Sequence, residues 1–280
     1  MPYLLHPISK EELIEKFKAI ERQGWIPDAG RETNDGSMGN MLEELLGVDE
    51  NNLPIPNSSE WELKSQRDDT SSLVTLCHME PSPRSMSLIP NLLLPQYGWR
   101  HQLAGTKYPE TELSFRATLT AGKWTRGFSV ELNEQENKVQ IVFDPSKVKP
   151  QDAEWLETVK TRVKDINKLE VTPYWGFNDL FAKARTKLYN CFFVIGEQKR
   201  ENGIKYYHYY KVYKLSNLAF WKFLNAIGQG ELQVEFDART GHNHGAKFRI
   251  NQAILPKLYE NVEVVMDMPK LREGTSLFQE

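Results

Sequence analysis

Strand-like runs that come in clusters constrain this chain more than any other feature of its sequence. Glu112–Thr120, Gly127–Glu134 and Lys138–Asp144 follow one another at turn-length spacing, and Asn190–Ile195, Lys205–Tyr213, Leu232–Asp237, Ala246–Asn251 and Val262–Asp267 form a later group. Short runs of period-2 or β-branched character bounded by turn residues read as strands. Helical spacing lies before and between them. Ser9 and Glu12 make an S-x-x-E capping box ahead of Leu13, Phe17 and Ile20, and Gly24 ends that helix. A second helix over Ser37–Leu46 sets Met38, Leu42 and Leu45 on one side, with Gly47 as its stop. A proline- and asparagine-rich turn then leads to extended segments at Glu60–Ser65 and Ser72–Cys77. Pro81–Gly105, with several prolines and little periodicity, reads as a long loop. Helices are expected over Ala153–Leu169, Gly176–Leu188 and Asn217–Ile227. Mixed α/β (α+β) architecture follows, with no repeat at a fixed period.

Composition narrows the class. With 280 residues of which 40% are hydrophobic, the chain can bury one large or two modest cores, which excludes a disordered protein. Cys77 and Cys191 stand far apart without a CxxC spacing, so a zinc ribbon or disulfide framework is excluded and a reducing compartment suits them. The start, MPYLLHPISKEE, has no basic stretch followed by an apolar one, and no apolar run approaches the roughly 18 residues that span a bilayer. A soluble cytoplasmic protein is expected. The net charge of −3 advertises neither a nucleic-acid nor a membrane partner, yet it conceals a segregation. Residues 1–70 hold 15 acidic and 7 basic side chains, net −8, whereas residues 181–250 hold 12 basic and 5 acidic, net +7. A basic surface for phosphates and an acidic patch for cations would share one molecule.

The most informative short segment is Pro56-Asn57-Ser58-Ser59-Glu60-Trp61-Glu62-Leu63-Lys64. On a strand Glu62 and Lys64 project from one polar face, while Trp61 and Leu63 face the core. A carboxylate and an ammonium so placed can hold a divalent cation and position a water for phosphodiester hydrolysis. E-x-K is common on exposed strands, so its context carries the weight. Glu43 sits in the preceding short helix, 14 positions before Asn57.

That order resembles the MvaI/BcnI group of type II restriction endonucleases, in the MutH-like branch of the PD-(D/E)xK nucleases. The likeness begins at Gly24-Trp25, runs through Met41-Leu42-Glu43-Glu44-Leu45-Leu46, and continues to Glu62-Leu63-Lys64-Ser65 and Ser72-Leu73-Val74-Thr75-Leu76. A second block agrees: Tyr174-Trp175-Gly176-Phe177, Lys205-Tyr206-Tyr207, and a segment from His242 to Asn251 similar to the family's H-x-H-G-x-x-F-R-I-N. The resemblance touches about residues 10–265. It implies a MutH-like core with a mixed central sheet flanked by helices, as one unit of two lobes around a DNA cleft, roughly 1–150 catalytic and 151–280 for recognition.

Roles follow where positions match. Glu62 would be a metal ligand, Lys64 would orient the attacking water, and Glu43 would be the helix-borne carboxylate near a Mg2+ ion. The family's first active-site residue is an aspartate five positions before the glutamate, where this chain has Asn57. An amide supplies an oxygen but no charge, which weakens its hold on a hard dication. Impaired cleavage is therefore expected of the chain as it stands, whether the asparagine is natural or an inactivating replacement. Asp49 has the wrong spacing to substitute.

In the basic C-terminal third, arginine offers a planar fork for guanine O6 and N7, so Arg239, Arg249, His242 and His244, with Lys247 in the same segment, are candidate readers of G·C pairs. His242 and His244 also fit a metal pair, which ranks second for want of a third His or Cys nearby. Lys183, Arg185, Lys187, Lys199 and Arg200 read as generic phosphate contacts or a solvated face. The tract Tyr206–Tyr213 reads as half core and half tyrosine-rich surface. His78 and the long loop around Arg84 and Arg100 could approach DNA from the catalytic lobe. The leading reading is a magnesium-dependent monomer that cuts double-stranded DNA at a short, G·C-rich, nearly palindromic site, one strand per binding event. A prokaryotic DNA methyltransferase would be its genetic partner only. A non-cleaving DNA-binding protein of the same fold, and a MutH-like mismatch-repair nicking enzyme, are the alternatives.

Overall fold

The computed structural model describes residues 8–28, 36–48 and 60–271. Helix α1 (Lys10–Glu21) starts at the expected capping box, in which Ser9 Oγ accepts from the Glu12 N–H and the Glu12 carboxylate accepts from the Ser9 N–H. A two-residue strand β1 (Ile26–Pro27) precedes α2 (Ser37–Leu46), which stops at Gly47 with φ 68°, a left-handed conformation that glycine adopts without strain. Strands β2 (Glu62–Arg67) and β3 (Val74–His78) follow.

The expected long loop is instead partly helical. A π-helical turn over Ile89–Leu93 runs into α3 (Leu94–Tyr97), and Leu88, Ile89, Leu92, Leu93, Leu94 and Tyr97 are all buried. Pro90 stands in the first turn of this run, where no intrahelical N–H is required, and Pro95 stands where the π-helical turn passes into α3. Strands β4 (Trp99–Arg100), β5 (Leu113–Leu119), β6 (Phe128–Asn133) and β7 (Lys138–Phe143) come next. Helix α4 (Ala153–Lys160) ends well short of Leu169. Asp165 accepts the Asn167 N–H at 2.9 Å, a local turn that competes with helix.

After β8 (Tyr174–Gly176) and α5 (Phe177–Leu188), strands β9 (Asn190–Glu201) and β10 (Ile204–Leu218) form a hairpin longer than the hydrophobic pattern suggests. Its turn is Asn202-Gly203, with φ of 49° and 81°, the conformation that matches strand twist in two-residue hairpins. Because β10 extends to Leu218, α6 (Phe220–Gly228) starts later than expected. Strands β11 (Leu232–Arg239), β12 (His242–Ile250) and β13 (Tyr259–Asp267) complete the order.

Two compact units interleave along the chain: residues 1–74, 183–219 and 252–280 form one, residues 75–182 and 220–251 the other. The cause lies in strand pairing, since β2 from the N-terminal segment runs parallel to β9, with Glu62 opposite Cys191 and Lys64 opposite Phe193. Parallel neighbours need a long crossover, and here it encloses most of the other unit.

In the first unit β10 pairs antiparallel with β9, β1 and β13, and β2 forms the far edge. Leu13, Phe17, Ile20, Met38, Leu42 and Leu46 from α1 and α2 pack with Trp61, Leu63, Phe192, Val194, Tyr207 and Tyr209 in one core. The tyrosine-rich surface is not there: Tyr207, His208, Tyr209 and Tyr210 are all buried. The three tyrosine hydroxyls find partners inside, Tyr207 with Ser37 Oγ at 2.5 Å, Tyr209 with the Met38 carbonyl at 2.7 Å and Tyr210 with Asp68 at 2.8 Å. The second unit holds a five-stranded sheet in the order β3-β12-β11-β5-β4 and a three-stranded one, β6-β7-β8. Among the described residues no helix is long and apolar enough to cross a membrane.

Candidate active site

Strand β2 brings Glu62 and Lys64 together, with a different solvation from the polar strand face expected. Glu62 is buried, its side chain 1% exposed, and Lys64 is 17% exposed. Lys64 Nζ donates to Glu62 Oε1 at 2.6 Å. Lys187 Nζ, from the last turn of α5, lies 3.6 Å from the same oxygen. Glu62 Oε2 is buried and, among the described residues, has no hydrogen-bond partner. A buried carboxylate oxygen without a donor is costly unless something else satisfies it. A hard divalent cation is the ligand such an oxygen fits.

The floor beneath Glu62 is apolar and tightly held. Cys191, its cross-strand neighbour, is fully buried, and burial pushes its thiol pKa up to about 12. Tyr259 at the start of β13 hydrogen-bonds this thiol, and burial first, with Cys191 and Glu62 adding to it, raises its hydroxyl well above the usual range. Both stay neutral near pH 7, so the charge beside Glu62 comes from lysines. Glu43 lies half-buried on α2, and that helix packs on β2 through Met38, Leu42, Trp61 and Leu63. Asn57 and Asp49 fall outside the described residues. Among the described residues no three His, Cys, Asp or Glu side chains cluster closely enough to hold a metal between them.

In the second unit, alternation puts Val234, Phe236, Phe248 and Ile250 inside and leaves Gln233, Glu235, Asp237, Arg239, Lys247 and Arg249 on the other face. None of these cations stands alone. Arg249 donates to Glu235, Lys247 lies 3.6 Å from both Glu235 and Asp237, and Arg116 of β5 lies 3.5 Å from Asp237. Arg239 donates to the buried Glu112 at 3.1 Å and stacks over the Tyr108 ring at 4.5 Å. His242 and His244 are exposed, with their Nε2 atoms 2.9 Å apart and rings perpendicular. One nitrogen must carry the proton and the other accept it. Glu80, half-buried, hydrogen-bonds Asn243, and burial raises its carboxyl above the ordinary value.

The family model for MvaI/BcnI restriction endonucleases matches residues 14–259. The chain belongs to the MvaI/BcnI restriction endonuclease family. Among solved structures, the restriction endonuclease MvaI in complex with its cognate DNA substrate matches with a TM-score of 0.72 at 22% identity, covering 92% of this chain and 99% of that one. MvaI in the absence of DNA matches with a TM-score of 0.50 at 22% identity, over 94% and 100%. No curated protein matches the chain. The mixed α+β fold is thus that of MvaI, and by family the chain is a sequence-specific restriction endonuclease, a site-specific deoxyribonuclease. Restriction endonucleases of this kind generally use a divalent metal.

Against the family's expected pattern, sequence reasoning missed three kinds of residue. Lys187, read as a generic phosphate contact or part of a solvated face, is 16% exposed and lies 3.6 Å from Glu62 Oε1. Cys191 and Tyr259 form the neutral floor. Glu112, Glu235 and Asp237 are the carboxylates that already hold the expected readers. The alternation of Gln233, Glu235, Asp237 and Arg239 along β11 was the available signal, because residues two apart share a face.

Proposed function

We propose that the chain binds a short G·C-rich, nearly palindromic site in double-stranded DNA and hydrolyses a phosphodiester with Mg2+, one strand per binding event, as a cytoplasmic prokaryotic monomer. A cognate methyltransferase would be its genetic partner only. The observation that carries this reading is Glu62, a buried carboxylate with one oxygen held by Lys64 and the other without a donor among the described residues. Glu62, with Glu43 and the amide oxygen of Asn57, would hold the ion. When bound, it supplies Lewis-acid polarisation of the scissile phosphate. Lys64 holds the carboxylate in place and offers an ammonium to the attacking water and to charge developing on the phosphate.

Recognition is assigned to the polar face carrying Arg239, Lys247 and Arg249, with His242 and His244 at the β12 end. Arginine and lysine present donors to guanine, while Glu235 and Asp237 present acceptors to the cytosine amino group. Their mutual pairing keeps these long side chains ordered in the absence of DNA.

Asn57 favours one second reading, a sequence-specific binder of the same fold that cuts poorly. Plasmid DNA incubated with Mg2+ and either this chain or its Asn57→Asp variant separates the two, with fragment ends mapped. Discrete ends, produced faster by the variant, support the endonuclease. Specific binding with no cutting by either protein supports the binder. If neither protein binds DNA at low salt, where phosphate contacts are strongest, both readings fall.

A further inference from the structure

Glu62 carries two ammoniums on one oxygen. Lys64 Nζ lies 2.6 Å and Lys187 Nζ 3.6 Å from Oε1, while Oε2 has no hydrogen-bond partner among the described residues. The three side chains are 1%, 17% and 16% exposed, so their charges act on one another with far less screening than at an open surface. Lys187 reaches the carboxylate from the last turn of α5, where a helix C-terminus favours a cation.

We propose that Lys187 is a positioning residue of the cleavage centre that acts through Glu62. It shares Oε1 with Lys64, which keeps Oε2 turned to the cation, and its positive charge limits how tightly that carboxylate holds a divalent ion. This rests on the reading of Glu62 as a metal ligand. A lysine here performs two opposed tasks. It supplies the counter-charge that a buried carboxylate requires before any cation arrives, and it repels the cation afterwards. Substitution by a neutral side chain therefore separates two quantities that general damage to the site would lower together.

The test uses the full chain in the Asn57→Asp background, with Lys187→Met, Lys187→Arg and Glu62→Gln variants. Each is titrated calorimetrically with Mn2+ alone, assayed for cleavage with Mg2+, and melted to verify folding. Lys187→Met should bind Mn2+ roughly tenfold more tightly, as expected for removal of one ammonium close to a dication. It should cut about tenfold more slowly with KM for DNA unchanged, the pattern of a group that matters to kcat and not to substrate binding. Lys187→Arg should restore both values. Should Lys187→Met fail to fold, Lys187→Gln carries the same expectations. Unchanged or weaker Mn2+ binding in the neutral variant, with Glu62→Gln abolishing it, overturns the role of Lys187 and leaves the reading of Glu62 intact. Undiminished Mn2+ binding in Glu62→Gln overturns both.

Discussion

The Glu62 centre and the β5–β11–β12 face each gather acidic and basic side chains, but they do so under different solvation. Around Glu62 one buried carboxylate faces two largely buried lysines above a neutral floor of Cys191 and Tyr259. On the sheet face, Glu235, Asp237, Lys247, Arg249 and Arg116 form a lattice of pairs whose carboxylates keep some exposure to water. The lysines are similarly shielded in both places and the difference lies in the carboxylates: Glu62, 1% exposed, depends on its cations, whereas Glu235 and Asp237, 16% and 25% exposed, keep contact with water that can replace a partner. The first arrangement suits chemistry, which needs fixed charges. The second suits recognition, since Lys247 and Arg249 can trade a carboxylate for a base edge or phosphate at little net cost.

The largest effect expected from this contrast is at Lys64. Lys64→Met in the Asn57→Asp background should lower kcat by about 10²–10³-fold, the range for loss of one fixed electrostatic group in an active site. DNA affinity measured with Ca2+ should change little; a comparable fall in affinity would mean that Lys64 reads or grips DNA. Leu42→Ala comes next. Leu42 is 1% exposed in the core that joins α2 to β2, and truncation there should cost about 2–5 kcal/mol in chemical denaturation. Glu43 rides on that helix, so the rate should fall with stability. A rate unchanged in the folded fraction would separate Glu43 from the centre.

Arg239→Ala should weaken specific DNA binding by about 1–3 kcal/mol and relax preference at one G·C pair, with non-specific binding little altered. Uniform weakening across all sequences would instead mark Arg239 as a phosphate contact. The smallest effect is at Glu80. Its folded-state carboxyl is raised by burial, so folding favours the protonated form and stability should grow as pH falls from neutral through the folded pKa towards the unfolded value. Glu80→Gln should therefore raise the urea midpoint slightly at pH 7, an advantage that shrinks near pH 5. An advantage that grows on acidification would contradict the assignment.

Local signals in the chain were legible and distant ones were not. The capping box at Ser9, the glycine stop at Gly47 and the E-x-K strand act over a few residues, and each stands where the pattern puts it. The helical turns around Pro90 and Pro95 escaped because proline is ambiguous between starting and breaking a helix. The reach of β9 and β10 was hidden because β10 lies inside its sheet with residues of both faces buried, which erases alternation. The charge segregation of the sequence is partly undone in space: basic residues of the 181–250 segment meet Glu112, Glu263 and Asp267 from outside it. Lys187 could not be read as part of the centre, since its approach to Glu62 depends on the parallel pairing of β2 with β9.

The central claim is that cutting depends on the Glu62 centre while sequence-specific binding belongs to the sheet face. Footprinting and plasmid cleavage by Glu62→Gln in the Asn57→Asp background test it together. The expected result is a footprint at the same sites as the parent with no fragments produced. Retained cleavage at those sites, or loss of the footprint in a folded Glu62→Gln protein, would contradict it.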